Sequence, residues 1–251
     1  MEVAAGARCA SMAGMSVQNR AIATGTLTLA SEGAQNFDAY LARPPKDRAA
    51  SVLVLHDMFG LNEPIRAVAD RYAERGYAAL VPNLFWRSDV PQPVSYDDSQ
   101  HPIAWARLKA IDLGVVSADM AKAVAWLRAQ PFSTGKVGAL GFCGGGRWAY
   151  LAATRCRVDA AAALYGLGIS EHLGELGNVT CPLQLHYGLQ DQHVPKQEID
   201  MVSEGVRSQP STEVFLYPHA GHSFANPVRP AYDAAAAELA HQRIEKMLER
   251  M

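Results

Sequence analysis

From residue 51 onward the chain alternates between two patterns of apolar and polar positions. Short unbroken apolar runs predict strands near 51–55 (Val52, Leu53, Val54, Leu55), 77–81, 137–140, 160–164, 182–187 and 213–217. Runs without polar alternation belong to strands buried on both faces. Between them, apolar residues recur every three or four positions. Helices are predicted over 64–75 (Ile65, Val68, Ala69 and Tyr72 on one face), 102–112 and 116–129 (Met120, Val124 and Leu127 inward). Others run from about 144 to 155, over 196–207 and over 230–249. Strands alternating with helices imply a mostly parallel sheet with helices on both faces, an α/β single domain. Ahead of this region, 21–29 alternates, Gly33 turns the chain and 37–41 returns, which predicts an antiparallel hairpin at a sheet edge. Residues 88–100, rich in Pro, Asp and Ser, form the longest stretch without periodicity, and 166–178 reads as loop with one helical turn.

Composition narrows the class. A chain of 251 residues with 49% hydrophobic and 19% charged positions suits one soluble domain. A formal charge of −2 gives no reason to expect nucleic acid or an anionic membrane as partner, and no run approaches the ~18 apolar residues of a membrane span. Residues 1–20 carry Ala, Gly, Ser and three Met without a long apolar centre, so they read as a flexible extension before a domain at 21–251 and not as a secretory signal. Cys9, Cys143, Cys156 and Cys181 show no paired spacing; free thiols and a cytoplasmic location are the expectation, for a monomer or homodimer.

The candidate chemistry starts at Gly141-Phe142-Cys143-Gly144-Gly145, between a predicted strand and a predicted helix. Glycines on both sides of one reactive residue fit a nucleophile elbow, with Cys where Ser is more usual. Such a cysteine is expected to be exposed at a helix N-terminus, which favours thiolate. The alternatives for this stretch alone are a buried apolar Cys beside a Gly-rich turn, or a phosphate-cradling loop. Asp57, Asp191 and His222 also follow predicted strands, where parallel sheets place ligands. Taken singly, Asp191 reads as a helix cap and His222 as a surface residue. Together the order Cys143, Asp191, His222 matches the nucleophile, acid and base of α/β-hydrolases. The backbone N–H groups of Gly144 and of a residue near Met58 are then the oxyanion donors. His219 and His222, with His186 and His193, lie on no helical face with a completing carboxylate, so no metal is expected. The Gly144-Gly145-Gly146 run lacks the G-x-G-x-x-G dinucleotide spacing.

Over about residues 20–249 the chain resembles the dienelactone hydrolase family, the carboxymethylenebutenolidases. The carriers are Met58-Phe59-Gly60-Leu61-Asn62, the stretch from Arg75 to Leu84, Gly135 to Gly138, the cysteine elbow, Gly188-x-x-Asp191-x-x-Val194-Pro195, and Ala220-Gly221-His222-Ser223-Phe224. The resemblance implies an α/β-hydrolase fold, a Cys143–His222–Asp191 triad, and cofactor-free hydrolysis of enol lactones or activated esters. It also implies a pocket drawn from Phe59, His101, Trp105, Phe224 and Asn226. Three positions depart from the family pattern. His56-Asp57 replaces a Gln-Glu pair, leaving Asp57 to modulate the nucleophile. His101 and Asn226 stand where family members that degrade dienelactone use two arginines on a substrate carboxylate, and Trp105 stands where a Tyr lines that pocket. A small ester or lactone with a neutral or weakly polar, activated acyl group is therefore the expected substrate, unless Arg87 or Arg107 reaches in. Acyl transfer through the same cysteine, or small-molecule binding without turnover, are the competing readings.

Overall fold

The computed structural model describes residues 21–251; the expected flexible extension at 1–20 lies outside the described residues. Eight strands form one sheet in the order β1-β2-β4-β3-β5-β6-β7-β8. They are β1 (Ala23–Glu32), β2 (Gln35–Arg43), β3 (Ala49–Leu55), β4 (Ala78–Pro82), β5 (Ser133–Phe142), β6 (Ala160–Leu164), β7 (Leu183–Gly188) and β8 (Thr212–Tyr217). Only β2 runs against the rest, pairing antiparallel with β1 and β4. The predicted edge hairpin is therefore present, longer than the alternation implied, and it turns at Gly33 with φ +59°.

Among the described residues six α-helices flank the sheet: α1 (Glu63–Glu74), α2 (His101–Ala110), α3 (Leu113–Ala129), α4 (Gly144–Arg155), α5 (Lys196–Gly205) and α6 (Ala234–Leu248). The period-2 geometry of β3 divides the core. Leu53 and Leu55 face the half of the core that includes residues of α3, α4 and α5, whereas Val52 and Val54 face the half that includes residues of α1 and α6. Side-chain caps fix three helix starts: Asn62 accepts from Ile65 N at 3.2 Å, Asp112 from Gly114 and Val115, and Asp233 from Ala236. The Asp233 cap explains why α6 begins four residues later than the Ala-rich pattern suggested. The 166–178 stretch carries more helix than expected, a 3-10 run over Ile169–Asn178. No helix among the described residues is long and apolar enough to cross a membrane.

Candidate active site

β5 ends at Phe142 and α4 begins at Gly144, leaving Cys143 as the single residue of the turn. Its backbone sits at φ 56°, ψ −119°, a strained conformation for a residue with a Cβ. Glycine is obligatory around it. A Cβ on Gly141 would meet Gly145 O at 1.8 Å, and one on Gly145 would meet Leu55 O at 2.3 Å. The elbow therefore has the predicted geometry, but Cys143 is not exposed: only 5% of its surface is accessible. It belongs to an apolar cluster that also holds Phe142, Tyr165 and Phe224.

Asp191 and His222 arrive from the loops after β7 and β8. His222 Nδ1 stands 2.8 Å from Asp191 Oδ2, and Asp191 Oδ1 accepts from the N–H groups of His193 (2.7 Å) and Val194 (3.0 Å). Burial works against ionising Asp191, but the His222 hydrogen bond and charge outweigh it and hold the carboxyl below its usual range. An acceptor-only carboxylate fixes the His222 proton on Nδ1 and leaves Nε2 for another partner. Burial disfavours a charged His222 ring as well. The Cys143 sulfur, by charge and hydrogen bonding, and the Asp191 hydrogen bond outweigh that and push the ring up to about 10. His222 therefore keeps its second proton across neutral pH when the sulfur is ionised.

The turn after β3 faces the elbow. Phe59 N–H donates to Asp57 Oδ1 at 2.8 Å, while Arg107 donates through Nε (3.0 Å) and Nη2 (2.8 Å) to Met58 O. Neither Met58 N–H nor Gly144 N–H has an acceptor among the described residues. Both belong to turns beside the candidate nucleophile, and α4 has no side-chain cap to occupy its first donors. Asp57 Oδ2 accepts from Tyr96 OH at 3.1 Å, and that hydroxyl accepts in turn from Asn62 (2.9 Å) and Asn226 (3.0 Å).

These elements match known proteins over most of their length. Residues 37–251 fit the sequence pattern of the Dienelactone hydrolase family. The chain is 33% identical over 218 residues to a carboxymethylenebutenolidase of Pseudomonas putida, covering 86% of this chain and 92% of that one. The chain belongs to the dienelactone hydrolase family. It is 28% identical over 221 residues to carboxymethylenebutenolidase 1 of Cupriavidus pinatubonensis, covering 88% and 94%. A crystal structure from Klebsiella pneumoniae, assigned as a dienelactone hydrolase, superposes with a TM-score of 0.83 at 27% identity, over 92% of this chain and all of that one. The protein is accordingly an ester or lactone hydrolase with the α/β-hydrolase fold.

Within this dienelactone hydrolase fold, the residues expected to line a pocket divide into two groups. Phe59 and His101 meet at 5.3 Å between ring centroids, and Trp105 lies 5.9 Å from His193, which packs on His222 at 4.7 Å. Trp105 and His193 thus lead to the base, while Phe59 packs also on Tyr96 at 4.4 Å. Phe224 does not join them. It is fully buried against Tyr165 (5.3 Å) and Tyr217 (4.8 Å), because the loop after β8 turns it into the core. Asn226 is also buried, and its amide is engaged by Tyr96 OH and Val228 N–H. Neither Arg87 nor Arg107 supplies a free cation. Arg87 is held by Glu32 and Asp119, and Arg107 donates to the carbonyls of Met58, Val90 and Gln92. Two cations lie beside these rings: Lys109, whose Nζ is 6.0 Å from the Trp105 centroid, and Arg229, whose guanidinium lies 5.4 Å from the Phe59 centroid and 5.2 Å from that of Tyr96. Sequence reasoning missed Arg229, Tyr96 and His193. Tyr96 lies in the aperiodic 88–100 stretch, and Arg229 three positions past Asn226. A cavity of about 580 Å³ lies elsewhere, on the side of α2 lined by Leu84, Val90, Ile103 and Val115; no member of the candidate triad touches it.

Asp57 carries a pH signature. Burial raises its pKa to about 6, against the Phe59 and Tyr96 hydrogen bonds and the charges of Arg229 and His222, which lower it. Because the native carboxyl holds its proton to higher pH than the unfolded one, folding is favoured below about pH 4 and loses stability as pH rises through about 6. The loss is on the order of 2–3 kcal/mol. Asp57→Asn, which stays neutral, is expected to unfold at a higher temperature than the parent at pH 8 and at a similar temperature at pH 4. A melting series across this range checks it; a difference independent of pH contradicts the assignment.

Proposed function

We propose that the protein hydrolyses lactones or activated esters through an acyl-cysteine on Cys143. The observation that carries this reading is the 2.8 Å Asp191–His222 pair acting on a strained elbow cysteine, beside two unengaged backbone N–H groups. The Cys143 sulfur attacks the acyl carbon, its proton resting on His222, and the carbonyl electron pair moves onto oxygen under the Met58 and Gly144 N–H groups. Collapse of the tetrahedral species breaks the bond to the leaving oxygen, which takes the His222 proton. Water, deprotonated by His222, then attacks the thioester and releases the acid and the thiol. A thiolate leaves more readily than an alkoxide, so attack is productive when the leaving group is an enolate or a phenolate. Aryl esters and enol lactones should turn over, whereas simple ethyl esters should revert to substrate.

Arg229 also alters the expected substrate. The preference for neutral acyl groups rested on the absence of a permanent cation near the pocket, and Arg229 removes that premise. It donates to Tyr96 O at 3.4 Å, and no carboxylate forms an ion pair with it among the described residues. An acyl group carrying a carboxylate therefore has a charged partner beside Phe59 and Tyr96. The test is kcat/KM for matched enol lactones with and without a carboxylate, and for an aryl and an ethyl ester. Arg229→Gln is expected to lower kcat/KM for the carboxylate-bearing lactone about tenfold, near the worth of one charge-assisted hydrogen bond, with the neutral lactone little changed. Equal losses on both lactones reject the role of Arg229. Ethyl-ester turnover matching the aryl ester rejects the leaving-group argument.

A further inference from the structure

We infer that His56 and Arg107 are positioning residues that clamp the two successive peptides of the oxyanion turn, aiming the Met58 N–H at the reacting carbonyl. This rests on the acyl-cysteine reading above. His56 Nδ1 lies 2.8 Å from Asp57 O, the carbonyl of the same peptide unit that carries the Met58 N–H. Its Nε2 accepts from Leu84 N–H at 3.1 Å, which places the ring proton on Nδ1 as a donor to that carbonyl. The next peptide is held at both ends. Its carbonyl, Met58 O, takes two hydrogen bonds from Arg107, and its N–H, from Phe59, is bound by Asp57 Oδ1. Each group that would rotate either peptide is thus occupied, and the one donor left open is Met58 N–H.

The two clamps are built as one unit. Phe85 lies between them, 5.0 Å from the His56 ring and 4.2 Å from the Arg107 guanidinium. His56 is fully buried and Arg107 nearly so, and no carboxylate pairs with Arg107 among the described residues. Burying an imidazole and a guanidinium without ion-pair partners is a costly way to secure a turn. The cost is intelligible if the turn must hold one N–H in a fixed direction. A polarised carbonyl also strengthens the donor at the other end of its peptide, so the His56 bond to Asp57 O acts on Met58 N–H directly.

The experiment compares a reaction that needs the oxyanion donors with one that does not. Alkylation of Cys143 by iodoacetamide displaces iodide from a saturated carbon and creates no oxyanion, whereas aryl-ester turnover does. His56→Leu and Arg107→Met are each expected to lower kcat about 100-fold, the scale for losing one oxyanion-hole donor, with KM nearly unchanged. The alkylation rate at Cys143 should stay within about threefold of the parent, the margin below which no lost hydrogen bond need be invoked. His56→Gln, which offers a donor and an acceptor on one planar group, should recover most of the His56→Leu loss. Parallel losses of turnover and alkylation in every variant, His56→Gln included, overturn the inference in favour of a purely structural role. Unchanged kcat in His56→Leu and Arg107→Met overturns it as well. Failure of the acyl-cysteine reading shows separately, as parent enzyme that retains turnover after Cys143 is fully alkylated.

Discussion

Cys143→Ala should lower kcat/KM for an aryl ester by about 100,000-fold or more, the scale seen when a triad nucleophile is removed. The fold should survive. Ala at this position meets the same backbone strain at φ 56° but no additional steric demand, because the cysteine side chain is only slightly larger. Cys143 lies at the end of β5 among apolar neighbours, and the one partner its replacement frees is His222, whose ring stays tied to Asp191 and is partly open to water. Thermal unfolding near that of the parent, with turnover lost, is the expected pair of results. Retained turnover would move the chemistry elsewhere. Cys156 and Cys181 are poor substitutes: both are buried, and burial pushes their thiols up to about 11, leaving little thiolate at neutral pH.

Asp191→Asn should cost about 10,000-fold in kcat, as expected when the orienting carboxylate of such a triad is lost. Asp191 Oδ2 accepts from His222 Nδ1, and an amide placed there can present its NH₂ group and drive the ring into the other tautomer. The His222 Nε2 would then carry a proton and could not take one from the thiol or from water. The effect on KM should be small, since Asp191 lies behind His222 with its side chain fully covered. Its Oδ1 contacts to His193 and Val194 N–H can be kept by the Asn oxygen, so the loop after β7 should stay in place. Steady-state kinetics on the aryl ester, alongside Asp57→Asn as a control, checks this. A larger kcat loss from Asp57→Asn than from Asp191→Asn would exchange the two roles.

The sequence announces those parts of the fold and site that depend on local chemistry. Unbroken apolar runs such as Val52 to Leu55 mark strands buried on both faces, and β3 is one. Gly141 and Gly145 mark the elbow because backbone atoms occupy the space of their missing Cβ. What the sequence hides depends on partners distant in the chain. Arg107 looked like a possible substrate cation, yet its acceptors are backbone carbonyls, which every residue possesses and no pattern reveals. Tyr96 sits in a stretch without periodicity, and its role appears only when Asn62, Asn226 and Asp57 converge on one hydroxyl. Phe224 follows His222 by two residues and by sequence shares its pocket, but the loop after β8 packs it inward against Tyr217. The burial of Cys143 is equally invisible in the sequence, since the apolar cluster it joins is assembled from segments distant in the chain.

The central claim is a covalent acyl-enzyme on Cys143. It is tested most directly by quenching the parent enzyme in acid during turnover of a slowly deacylated aryl ester and mapping its peptides by mass spectrometry. The account predicts one acyl group, labile to hydroxylamine as a thioester is, on the peptide containing Cys143, and none on the peptides containing Cys156 or Cys181. Full turnover with Cys143 unmodified, or the acyl group found on another residue while Cys143→Ala remains active, would contradict it.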